Sequence, residues 1–135
     1  MAMKQLSLHV VGANHPNADG SNRRFEILLC VPGEPIELLP EPKNPADPQA
    51  VAVFSERGVQ IGYLTAERAP WIGAMIRDGR EVQAIFQEAS AAGAVIRVGL
   101  DGAVPILPVP KSRPPALGSG EEDADFWPDY LPPDD

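Results

Sequence analysis

A chain of 135 residues, 44% apolar and 22% charged, has the size and composition of one domain with a modest core and room for a tail. No apolar run approaches the length of a membrane span, and a lone Cys30 excludes an intramolecular disulfide. The net charge of −8 sits at one end: residues 1–113 hold all 11 bases and 12 of the 19 acids, a formal −1, so the body has no strong long-range pull on nucleic acid.

The opening "MAMKQLSLHVV" lacks the apolar core and small-residue cleavage site of a secretory signal, and the expected location is cytoplasmic. Two His and one Cys cannot form a closed four-ligand zinc site, so neither a metal nor a cofactor is expected. No phosphate-binding loop, paired-His motif or nucleophile elbow is present, and no enzymatic activity is expected of the chain on its own.

In chain order, residues 4–12 alternate, with Leu6, Leu8 and Val10 on one side, and predict a strand ending at Gly12. The polar loop 13–22 follows, and Ser21 or Asn22 can cap the next element. "RRFEILLCV" places Phe25, Leu28 and Leu29 at i, i+3 and i+4, which predicts a short helix closed by Pro32 and Gly33. "PIELLP" (35–40) predicts a strand with Ile36 and Leu38 on one face, its pairing broken by Pro40 and Pro42. "AVAVFSE" (50–56) and "VQIGYL" (59–64) predict a hairpin turning at Arg57-Gly58. In the return strand Val59, Ile61 and Tyr63 share the inward face, and Gly62 marks a bulge or a close backbone approach. Thr65 is placed to cap a helix over 66–78 that turns Ala69, Ile72, Gly73 and Ile76 inward, leaves Trp71 off that stripe, and ends at Gly79. Segments 81–89 and 94–100 predict a last hairpin. About six short strands with two helices predict a small mixed barrel over residues 1–104.

Beyond it, residues 105–120 are rich in Pro and then Gly and Ser and predict an extended linker. Residues 121–135 combine acids with Phe126, Trp127 and Tyr130 and predict a tail that is disordered alone. Such a tail can act as a solubiliser, as a short motif with aromatic anchors for a protein partner, or as a strap that folds back and competes with nucleic acid.

The densest signal lies in 41–64. Pro42, Pro45 and Pro48 restrict their own φ and that of the residue before each, so Asn44, Ala46 and Asp47 sit on a stiff loop between strands. The order N-P-x-D-x-x-A-V-x-V, then G-x-x-I-G-Y-L, then a helix resembles the HIRAN domain, from His9 to about Leu100. The resemblance implies an OB-like β-barrel elaborated by helices. It also implies a nucleic-acid-binding module, of the kind attached to ATPases and other DNA-processing proteins, whose best understood members hold the 3′-hydroxyl end of single-stranded DNA. Asp47 matches the family's pocket aspartate, Asn44 and Pro45 match the loop leading to it, and Tyr63 falls beside the pocket. Ala46 stands where an aromatic can stack in the family. Ala13, Asn14, His15 and Pro16 stand where the DNA-end binders carry an Arg and aromatics, and Thr65 and Ala66 stand where they carry basic residues.

Each candidate also has a plainer role. Asp47 can accept a hydrogen bond from a terminal 3′-hydroxyl, or close its own turn by bonding the backbone near Gln49 or Ala50; the two are compatible. His15 and Asn14 can stack on and bond a base, or form a polar surface loop. Arg23 and Arg24, the one adjacent basic pair, can meet phosphate or form a solvated first helical turn, the commoner outcome. Tyr63 is expected to pack in the core with a satisfied hydroxyl. Arg77 and Arg80 flank a helix end and complement its dipole. Cys30 has no activating neighbour in sequence and is expected to be buried and inert.

The leading expectation is a module for single-stranded DNA or its 3′ end in DNA repair or processing. The alternatives are a protein-interaction adaptor in which the barrel has lost DNA binding and the tail, 121–135, recruits partners, and an accessory domain of a hydrolase or metal-dependent DNA-processing assembly.

Overall fold

The structure, a computed structural model, describes residues 4–108. The tail 121–135 and most of the expected linker lie outside those residues. Six strands run in the order β1 (Gln5–Val11), β2 (Pro35–Pro40), β3 (Val51–Phe54), β4 (Gln60–Leu64), β5 (Val82–Ala89) and β6 (Ala94–Leu100). Helix α1 (Arg23–Leu29) follows β1, and α2 (Ala69–Arg77) follows β4. The strands close into an antiparallel barrel with neighbours β1-β4-β3-β2-β5-β6. The expected mainly β class, with two helices on a small OB-like barrel, is the observed one.

Alternation along the strands sends Leu8, Val10, Val51, Val53, Ile96 and Val98 into the barrel, where each is buried. α2 caps that core with Ala69, Ile72 and Met75, and α1 contributes Ile27. The helix signals work locally: the Asn22 side chain accepts from the Phe25 amide at 2.8 Å, and Gly79 takes φ +81° after α2.

Several expectations are corrected. Thr65 does not cap α2. Its carbonyl accepts from the Arg68 and Ala69 amides in a preceding turn, and the cap position falls on Arg68, which makes no side-chain capping bond. Pro40 does not end β2 pairing; it sits opposite Val51, and the Glu41 amide then bonds Ala50 O at 2.9 Å. Tyr63 does not share a core face with Ile61. Pairing runs Val53 to Gly62 and then Phe54 to Gln60, so Ile61 is an extra residue and the alternation resets. Leu64 is consequently the next buried side chain and Tyr63 is only half-buried. Gly62 is required there: at φ +154°, a Cβ would overlap the Val11 carbonyl oxygen of β1.

The largest correction concerns α1. Phe25, Leu28 and Leu29 are exposed, while the buried stripe is Arg23, Glu26 and Ile27 with half-buried Cys30. Both stripes repeat at helical spacing. The charged one turns inward because the barrel supplies partners for it. Glu26 Oε2 accepts from Ser55 Oγ at 2.7 Å and from Arg57 Nε at 2.6 Å, and Arg57 extends to Glu34 at 3.4 Å. The chain stays on the barrel past residue 104: Pro105 is buried and the Ile106 amide donates to Gln5 Oε1 at 2.7 Å.

Candidate nucleic-acid interface

The stiff loop is built on a chain of hydrogen bonds that starts at Glu41. Its Oε1 accepts the Tyr63 hydroxyl and the Asn44 Nδ2, each at 2.9 Å. Asn44 Oδ1 accepts the amides of Ala46 at 2.8 Å and Asp47 at 3.2 Å. Asp47 Oδ1 accepts the Gln49 amide at 2.9 Å, and the Ala50 amide bonds Asp47 O at 3.0 Å. Asp47 therefore does close its own turn, as the plainer reading expects. Among the described residues, no donor meets its second oxygen, Oδ2.

Asp47, Asn44 and Tyr63 line one cavity of about 410 Å³, whose remaining wall is Val11, Ala46, Ala50, Leu64 and Ala66. It is an apolar recess with a few convergent polar groups, the usual make-up of a small-ligand site.

Asn14, His15, Arg23 and Arg24 line a second recess, of about 220 Å³, with Pro16 and the 20–22 turn. Gly12, at φ +85°, turns the chain out of β1 into this loop. The two arginines are not solvated first-turn residues. Arg23 is 8% exposed; its Nε donates to Asn17 Oδ1 at 2.7 Å and its Nη1 to Gly12 O at 2.9 Å. Arg24 donates to the Ser90 and Ala91 carbonyls and to Asn14 Oδ1. Its fork is spent on tying the β5–β6 turn to the β1–α1 loop, and it occupies the acceptor of Asn14. His15 is exposed and free to stack.

The recesses meet at Arg23, whose guanidinium carbon lies 5.6 Å from the centroid of the Tyr63 ring. Asp47, Asn44 and Tyr63 thus line one recess and His15, Asn14, Arg23 and Arg24 the other, with the Arg23–Tyr63 contact linking the two. Sequence reasoning missed Glu41 and Asn17. The signal for Glu41 was an acid three residues before Asn44 at the start of the loop. Asn17, whose Nδ2 bonds Ser21 Oγ and Gln60 O, had no sequence signal beyond its turn-forming type.

Other candidates stay structural. Arg80 makes two bonds to Asp101, at 2.9 and 2.7 Å. Trp71 is exposed with Arg68 stacked on it at 5.6 Å. Burial pushes the Cys30 thiol up to about 11 despite Arg57 nearby, which leaves it a poor nucleophile. Among the described residues no cluster of three or more His, Cys, Asp or Glu could hold a metal ion, and no helix is long and apolar enough to cross a membrane.

A closed, six-stranded antiparallel barrel with an apolar cavity beside a proline-rich loop defines the class as a small OB-like barrel module. The HIRAN domain model matches residues 6–98, and the chain belongs to the HIRAN domain family, whose members are in general nucleic-acid-binding modules. The fold is shared with the crystal structure of the HIRAN domain of human HLTF, at 21% identity and a TM-score of 0.57, over 71% of this chain and 74% of that one. It is also shared with a protein from Lactobacillus plantarum, at 15% identity and a TM-score of 0.59, over 73% of this chain and 93% of that one. No curated protein matches the chain in sequence.

Proposed function

We propose that this chain is a non-catalytic module that binds single-stranded DNA at its 3′-hydroxyl end, in DNA repair or processing. The carrying observation is that Asp47 lines an apolar cavity of about 410 Å³ while its Oδ2 accepts from no donor among the described residues. A carboxylate welcomes a hydroxyl and repels a phosphate at the same point, so it tells an end from an internal linkage. The apolar wall suits a sugar, Tyr63 supports it, and Arg23, in contact with the Tyr63 ring, is the candidate for a phosphate contact. His15 is available to stack on a base. The test is competition between a linear strand and a circular strand of the same sequence for the protein. End recognition predicts displacement by the linear strand only; equal displacement by both contradicts it.

A second reading, the adaptor, is favoured by the face of α1. Phe25, Leu28, Leu29 and Val31 are all exposed, a run of large apolar side chains that a lone solvated helix does not need. That reading, in which the barrel no longer holds DNA, predicts no measurable single-strand binding by the full chain and loss of protein-partner capture on Leu28→Ser or on deletion of 114–135. Single-strand binding by the wild-type chain, or partner capture that survives both changes, would contradict it.

A further inference from the structure

We infer that Glu41 is the positioning residue that sets which strand end the Asp47 cavity accepts. The inference rests on the end-binding reading above and goes beyond it, because Glu41 itself acts only through its neighbours.

A carboxylate oxygen only accepts, so the Tyr63 hydroxyl must spend its single proton on Glu41 Oε1, and Asn44 must turn its Nδ2 toward the same atom. The Asn44 orientation is fixed a second time, because its Oδ1 faces two backbone donors, the amides of Ala46 and Asp47. The outcome is a cavity of defined polarity. Tyr63 Oη is left with lone pairs and no proton to offer, and Asp47 presents Oδ2. Among the described residues neither meets a donor. One remaining proton of Asn44 Nδ2 is the only side-chain donor of these three residues not already used.

Two acceptors and one spare amide proton match a neutral ligand that brings its own proton, as a terminal hydroxyl does. They mismatch a terminal phosphate, which brings acceptors only. Glu41 contributes twice, by removing the phenol proton from the cavity and by adding a second negative charge behind Tyr63 and Asn44. Without it, Tyr63 could turn its proton inward and donate to a phosphate oxygen. The selectivity attributed to Asp47 is thus shared with a residue that does not line the cavity.

The test measures anisotropy of short single strands ending in 3′-hydroxyl or 3′-phosphate with the full chain, wild type and Glu41→Gln. Glutamine keeps an acceptor for Tyr63 and Asn44 and removes the charge. The expected result is hydroxyl-end affinity within about twofold of wild type and a hydroxyl-to-phosphate preference smaller by roughly fivefold to tenfold, from tighter phosphate-end binding. Tyr63→Phe supplies a second measurement that does not touch Glu41. It should weaken hydroxyl-end binding by about threefold to tenfold and leave phosphate-end binding unchanged. A wild type that prefers the hydroxyl end, together with a Glu41→Gln variant that keeps the same preference, overturns the role of Glu41 alone. A wild type that binds both ends equally overturns this inference and the end-binding reading together.

Discussion

Arg23 sits over the ring of Tyr63, 5.6 Å from its centroid, while the same guanidinium bonds Gly12 O at 2.9 Å and Asn17 Oδ1 at 2.7 Å. One side chain thus ties the start of α1 to the end of β1, to the loop that follows it, and to the aromatic wall of the Asp47 cavity. Its positive charge is held by acceptors that are not acids, and although the side chain is nearly buried, Nη2 makes no hydrogen bond among the described residues, so the charge is not neutralised locally.

Arg23→Ala should therefore act twice. Two hydrogen bonds to a charged donor are lost, and folding stability should fall on the order of 1.5–3 kcal/mol in urea unfolding. The salt slope of single-strand binding should flatten by roughly one phosphate contact. Arg23→Lys should not restore stability, because an ammonium cannot span both acceptors while lying flat on the ring.

Glu26 is the buried anchor of α1. Glu26→Ala leaves the Ser55 hydroxyl, itself 3% exposed, without its acceptor, and unfolding should become easier by on the order of 1–3 kcal/mol. Exposed Arg57 adds little to that loss. Glu26→Gln keeps an acceptor and should retain most of the stability. Urea midpoints of the two variants check the ordering, and a Gln variant as weak as the Ala variant would show that the charge matters more than the bond.

The two faces of α1 show where the sequence was legible and where it was not. Periodicity located every strand and both helices, because apolar alternation and turn residues act locally. It gave no sign that α1 buries Arg23 and Glu26, since their partners come from other segments: Gly12 and Asn17 before the helix, and Ser55 and Arg57 on the β3–β4 hairpin. Tyr63 failed for a related reason: the bulge at Ile61 depends on the register with β3 and shifts every later side chain by one. In the site, the N-P-x-D loop exposed Asp47 and Asn44 because proline restricts backbone locally. Glu41 stayed hidden because its role exists only once β4 brings Tyr63 to it.

Cys30 should be unreactive near neutrality. Its thiol is raised from 9.0 to about 11 by burial, so alkylation by iodoacetamide at pH 8 should run ~100-fold slower than in the unfolded chain. The same shift has a stability consequence with a definite sign. Below pH 9 the thiol is protonated in both states and contributes no pH dependence. Between about 9 and 11 the unfolded chain releases the proton first, so stability from this group falls as pH rises. Urea midpoints from pH 8 to 11, compared with Cys30→Ala, measure it; a wild-type curve parallel to the variant would contradict the shift.

The most direct measurement of the central claim compares wild type with Asp47→Asn on short single strands ending in 3′-hydroxyl or 3′-phosphate. Asparagine keeps the acceptor that closes the turn with Gln49 and replaces the free oxygen with a donor. The account predicts that hydroxyl-end affinity falls roughly 10-fold to 100-fold, the size of one charge-assisted bond, while phosphate-end affinity holds or rises. Equal losses for both ends, or none for either, would contradict it and leave Asp47 with its turn alone.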